Sequence, residues 1–88
     1  METATTYKYI VKHQDNAEPM VQGSRISVRD IVEQWKMGMS PEEVLLAYPH
    51  ISLAQVFEAL SYYQDNRDEI DMFIAKNKVP ESLHGCSL

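Results

Sequence analysis

The spacing of apolar residues changes partway along the chain. In Tyr7–Lys12, YKYIVK, apolar and polar residues partly alternate and aromatic and β-branched types dominate, which predicts a strand. Met20–Gln22 predicts a second short strand, Gly23-Ser24 a turn, and Arg25–Ser27 a brief extension. Met1–Thr6 reads as a frayed polar end and Asp15–Pro19 as a loop. Strands this short do not hold a sheet alone, so they must pack on helices or pair with a second copy. From Ser27 onward the period becomes helical. Val28, Ile31, Val32 and Trp35 fall at i, i+3, i+4 and i+7, with Ser27 as N-cap, Asp30 in the first turn and Gly38 placed for a left-handed cap.

The stretch Ser40–Tyr63 organises the rest. Ser40 is an N-cap, Pro41 suits the first helical position, and Glu43 completes a capping box. Val44, Leu45 and Tyr48 make a short apolar face, and Pro49 stops the helix. Ser52 and Gln55 repeat the capping signature, and Leu53, Val56, Phe57, Leu60 and Tyr63 follow at helical spacing. Helix, tight turn and longer helix match the helix-turn-helix plan, whose second helix can enter a DNA groove. The same hairpin also builds plain three-helix cores.

Beyond Tyr63 two readings compete. Leu53, Val56, Leu60, Tyr63, Arg67, Ile70 and Ile74 form a heptad-like seam. It favours one continuous helix to Asn77, roughly 37 Å long, whose far end needs another surface. The other reading is a break near Asp65-Asn66, with Asn66 and Glu69 as a capping pair opening a fourth short helix. Pro80 ends any helix, and residues 79–88 read as a polar tail.

Composition then narrows the functional classes. Eighty-eight residues make one small domain, with an ordered core expected over about residues 7–78. No run approaches a membrane span and the polar start is no signal peptide, while Cys86 stands alone; together these point to the cytoplasm. His13, His50 and His84 are scattered without metal-ligand spacing, Gly23 lies outside any phosphate loop, and Cys86 has no activating neighbour. An enzyme, a metal site and a cofactor are therefore not expected.

Charge distribution matters more than the net −5. Residues 1–39 are balanced, whereas residues 40–75 hold only Arg67 against Glu42, Glu43, Glu58, Asp65, Asp68, Glu69 and Asp71. The helix-turn-helix candidate thus lies in the half least suited to phosphate. For DNA, the candidates are Ser52 and Gln55 at the start of the second hairpin helix, and the cations Arg25 and Arg29. Capping is the competing role of the first two and ordinary surface charge that of the arginines. For a protein partner, the candidates are Tyr62, Asp65, Glu69, Met72 and Phe73 on an acidic, overhanging helix end; core filling is the competing role of each apolar one.

The run from Gly23-Ser24-Arg25-Ile26 through Val28 and Ile31, Gly38, Ser40 and Glu42-Glu43, Tyr48-Pro49, Gln55-Val56, Ala59-Leu60, Tyr62-Tyr63 and Glu69-Ile70-Asp71 resembles the bacterial domain-of-unknown-function family 433. The likeness covers about residues 20–72. It departs at Ser24, where the pattern has Thr, and in the spacing at His50-Ile51. The resemblance implies a mainly α, homeodomain-like three-helix helix-turn-helix bundle with a short N-terminal β-segment. It also implies a VapB-type antitoxin that acts as a homodimer, neutralises a cognate PIN-like nuclease toxin and represses its own operon by binding operator DNA. A stand-alone transcriptional regulator and a structural dimerisation module are the alternatives. The mechanism expected is occlusion of the nuclease's basic RNA cleft by the acidic helical surface.

Overall fold

The computed structural model describes residues 2–4, 7–13 and 17–77; the expected polar tail, His84 and Cys86 lie outside them. The architecture is mainly helical. A small antiparallel sheet of β1 (Glu2–Ala4), β2 (Ile10–His13) and β3 (Pro19–Val21), in the order β1-β2-β3, precedes four helices. The expectation of a frayed start fails at Glu2–Ala4, where Thr3 lies opposite Lys12 in register with β2. Pairing there gives the backbone groups of β2 partners on its second edge. The expected strand over Tyr7–Lys12 is also corrected. Tyr7–Tyr9 turns instead, and β2 runs opposite β3, with Ile10 facing Val21.

After β3 the chain turns at Gly23, whose φ of +76° lies in the left-handed region that suits glycine. The Val21 N–H donates to the Ile26 carbonyl at 2.8 Å, and an isolated bridge joins Met20 to Ser27. The helices then start where the sequence places them. α1 (Val28–Lys36), α2 (Pro41–Ala47) and α3 (Leu53–Asp65) each open on a reciprocal capping box, formed by Ser27 with Asp30, Ser40 with Glu43 and Ser52 with Gln55. Gly38, at φ +96°, turns the chain after α1.

The favoured continuous helix does not form. α3 ends at Asp65, and α4 (Arg67–Lys76) begins after Asn66, whose φ and ψ are −137° and 46°. The break falls where the alternative put it, but the capping pair does not close. Asn66 gives α4 no side-chain cap; its Nδ2 donates back to the Tyr62 carbonyl at 3.1 Å, and so finishes α3. The reason is burial. A straight helix would carry Ile70 and Phe73 beyond the core, whereas the break folds α4 back onto α1 and leaves them 0% and 8% exposed.

The core lies between the sheet and the helices. Ile10, Val21, Val28, Ile31, Val32, Val44, Val56 and Ile70 are sealed from solvent, and Ala59, Tyr62 and Tyr63 complete the cluster. Trp35, expected in the stripe of α1, sits at its edge against the Tyr63 ring, with centroids 6.4 Å apart. Among the described residues no helix is long and apolar enough to cross a membrane.

Candidate protein interface

Three of the four DNA candidates are engaged within the chain. Ser52 Oγ accepts from the Gln55 N–H at 3.2 Å, and Gln55 Oε1 accepts from the Ser52 N–H at 2.7 Å. Both side chains serve to start α3. Arg29 donates from Nε to Glu18 at 2.8 Å and from Nη1 to Glu33 at 3.3 Å, with Asp30 also within ion-pair range. Burial opposes the Arg29 charge, but the bond to Glu18 and the three carboxylates more than compensate and raise its pKa. It is a structural cation joining α1 to the segment before β3. Arg25 is exposed and, alone of the four, makes no hydrogen bond or ion pair to any described residue.

The candidate partner face also folds inward. Tyr62 and Phe73 are 3% and 8% exposed, so both belong to the interior and not to a docking surface. Asp65 accepts from the Tyr7 hydroxyl. Glu69 accepts from the Tyr62 hydroxyl at 2.6 Å and pairs with Lys12 at 2.8 Å. Met72, at 52%, and Asp65 are the exposed members of the five.

The acids of residues 40–75 behave alike. Glu58 accepts from the Tyr9 N–H, and Asp71 accepts from the Tyr63 hydroxyl at 2.9 Å and from Lys36 at 3.3 Å. The Tyr63 bond, with help from Lys36, holds the Asp71 carboxyl below its ordinary range. Within the bonded set, Glu43 caps α2, and its bonds to Ser40 lower its pKa too. That leaves Glu42 and Asp68 with no hydrogen bond or ion pair among the described residues. The expected free acidic flank is therefore mostly a set of clamps that fasten the N-terminal segment and α1 onto α3 and α4.

Besides polar residues such as Glu42, Glu43 and Gln64, the α2–α3 hairpin exposes two large apolar side chains. Leu46 is 83% exposed and Phe57 is 51% exposed, and the exposed Ala47 follows Leu46 in α2 while the exposed Ala54 precedes Phe57 by three residues in α3. Helical geometry explains both. Val44 points into the core, and Leu46 lies about 200° around the helix from it. In α3 the inward face is Val56, Ala59, Tyr62 and Tyr63, which turns Phe57 outward. This corrects the expected apolar face of α3, in which Phe57 was an inward residue. The doublets Leu45-Leu46 and Val56-Phe57 give no signal of this in the sequence, since the adjacent pairs Ile31-Val32 and Tyr62-Tyr63 are buried at both positions.

Two shallow grooves meet at the half-buried Tyr48. One of about 360 Å³ lies between α1 and the end of α4, lined by Asp30, Glu33, Lys36, Met37 and Ile74. The other, of about 400 Å³, lies between the Gly23–Ile26 turn and the segment 47–50 that follows α2. Burial raises the Tyr48 pKa, with Asp30 and Glu33 adding to it. Among the described residues no three His, Cys, Asp or Glu side chains group as metal ligands. The arrangement offers recognition surfaces, with apolar contact from the hairpin and hydrogen bonding beside Tyr48.

A model of the family described as "Protein of unknown function (DUF433)" matches residues 13–63, more than half of the 88-residue chain. The match takes in β3, α1, α2 and most of α3. No curated protein and no solved structure gives a match.

Proposed function

This chain belongs to the DUF433 family, and we propose that it acts by binding another protein, as an antitoxin that neutralises a PIN-like nuclease. The observation that carries this reading is the outward face of the α2–α3 hairpin. Leu46 and Phe57 stand exposed where a DNA reader would need cations. Large exposed apolar side chains on a rigid hairpin favour a protein surface over a phosphate backbone. The fold we infer is the homeodomain-like helix-turn-helix bundle, with α1, α2 and α3 as its three helices and α4 added. The working unit in this reading is a homodimer in the cytoplasm. Occlusion of the nuclease then comes from apolar contact, because the acids once expected to do it already hold donors of the chain itself.

The test is co-expression with a candidate PIN-like nuclease toxin. The wild-type chain should co-purify with the nuclease and block RNA cleavage. Leu46→Ser combined with Phe57→Ser should keep its melting temperature, since exposed substitutions shift stability by only about ±0.5 kcal/mol, and should lose both effects. Equal retention by the double variant would end the reading.

Operator binding is the second reading, whether as autoregulation or as a stand-alone regulator, and the free Arg25 is the observation in its favour. Arg29, Ser52 and Gln55 count against it, because each is engaged inside the fold. A structural dimerisation module would show neither nuclease retention nor operator retardation.

A further inference from the structure

The groove of about 400 Å³ between the Gly23–Ile26 turn and the segment 47–50 differs in charge from the rest of the molecule. The chain carries −5, yet Arg25 and His50 line this groove and no acid does. Arg25 and His50 are exposed, and neither makes a hydrogen bond or ion pair with a described residue. Ile26, Ala47 and Pro49 supply apolar walls. Ser24 does not compete as a ligand group: its hydroxyl donates to the Val21 carbonyl at 2.8 Å and accepts from the Ile26 N–H at 3.1 Å, which fixes the turn. An extra carbon at Gly23 would meet nothing within 4 Å, so the turn leaves its side of the groove open.

We propose that this groove receives a partner-protein segment in which one carboxylate is flanked by apolar side chains, with Arg25 pairing the carboxylate beside His50. A guanidinium suits a carboxylate because it can donate two parallel bonds. A polyanion fits less well. Duplex or single-stranded nucleic acid would bring many phosphates against a chain of net negative charge, whereas a single carboxylate feels mainly the nearby Arg25. The proposal does not rest on the nuclease reading, since the groove is formed by other residues than Leu46 and Phe57.

The experiment titrates the full ¹⁵N-labelled chain with two acetylated, amidated tripeptides, Leu-Glu-Leu and Leu-Gln-Leu. The acidic peptide should shift the amides of Ser24, Arg25, Ile26, Tyr48 and His50. The neutral one should bind roughly five- to tenfold more weakly, as expected for losing one charge-assisted pair. Arg25→Gln, with an unchanged far-ultraviolet circular dichroism spectrum, should bring the acidic peptide down to the neutral one. Equal binding of the two peptides, or no response of these amides at millimolar peptide, would overturn the proposal. So would stronger shifts of the same amides by a single-stranded oligonucleotide, which would make the groove a nucleic-acid site. Shifts that track the chain's own concentration would give the groove to a second copy and would also overturn it. Because no nuclease is present, failure here leaves the hairpin reading to its own test.

Discussion

The α2–α3 hairpin and the α3–α4 corner handle their polar groups in opposite ways. In the hairpin, polar side chains close on neighbours three residues away, as Ser40 does with Glu43 and Ser52 with Gln55. Leu46 and Phe57 are then left exposed and unengaged. In the corner, polar side chains reach across the fold. Asp65 meets Tyr7, Glu58 meets Tyr9, Glu69 meets Lys12 and Asp71 meets Lys36. The acidic end of the chain is therefore a fastening for the N-terminal segment and α1, whereas the hairpin leaves Leu46 and Phe57 exposed. A cluster of like charge in a sequence does not mark an open surface until its partners are located in space.

The largest test of this contrast is Ile70→Ala. If α4 is part of the core, the loss of a fully buried side chain should cost about 2–5 kcal/mol in urea denaturation. Loss confined to α4, seen as hydrogen exchange rising there while α1 to α3 stay protected at wild-type levels, would make the corner an appendage instead. Ser52→Ala sharpens the hairpin side. A capping role predicts a loss of about 1 kcal/mol in global stability. An unchanged urea midpoint would free Ser52 for contact with a ligand.

The smallest effect is in pH dependence. Burial, and then the bond to Glu69, raise the Tyr62 pKa; the bond to Asp65 raises that of Tyr7. A raised folded pKa means the stabilisation is complete below the unfolded value, about 10 for tyrosine, and is lost as pH climbs through the folded value. The melting temperature should therefore fall above about pH 10, and Tyr62→Phe should flatten that fall. The lowered pKa values of Asp71 and Glu43 act in the other direction. Their contribution is complete above the ordinary carboxylate range and is lost on acidification below about pH 4. A melting temperature level from pH 8 to pH 11 would remove the role given to the tyrosine clamps.

Much of the frame was legible from one chain of letters. Ser27, Ser40 and Ser52 announce their helices because a capping box is a contact between residues three apart, formed by local backbone geometry alone. Gly38 marks the turn after α1 for a similar reason, since its positive φ is a property of one residue. The candidate site was read poorly. Tyr62 and Phe73 share a spacing with exposed residues, and only the fold of α4 onto α1 puts them inside. Arg29 and Arg25 look equivalent as cations until Glu18 is found beside one of them. Nothing in the sequence brings His50 and Tyr48 together with Arg25, because a groove between two turns has no sequence period.

By itself, then, the sequence determined where α1, α2 and α3 begin, where the chain turns at Gly23 and Gly38, and that a hairpin with a proline-stopped first helix sits at the centre. Tertiary structure decided the rest: which member of Leu45-Leu46 and of Val56-Phe57 faces water, whether the seam past Tyr63 runs straight or folds back, and which donors take the acids. The physical reason is range. A cap is closed by atoms a few bonds apart, whereas the Tyr7–Asp65 bond joins residues 58 positions apart and exists only once the core has brought them together.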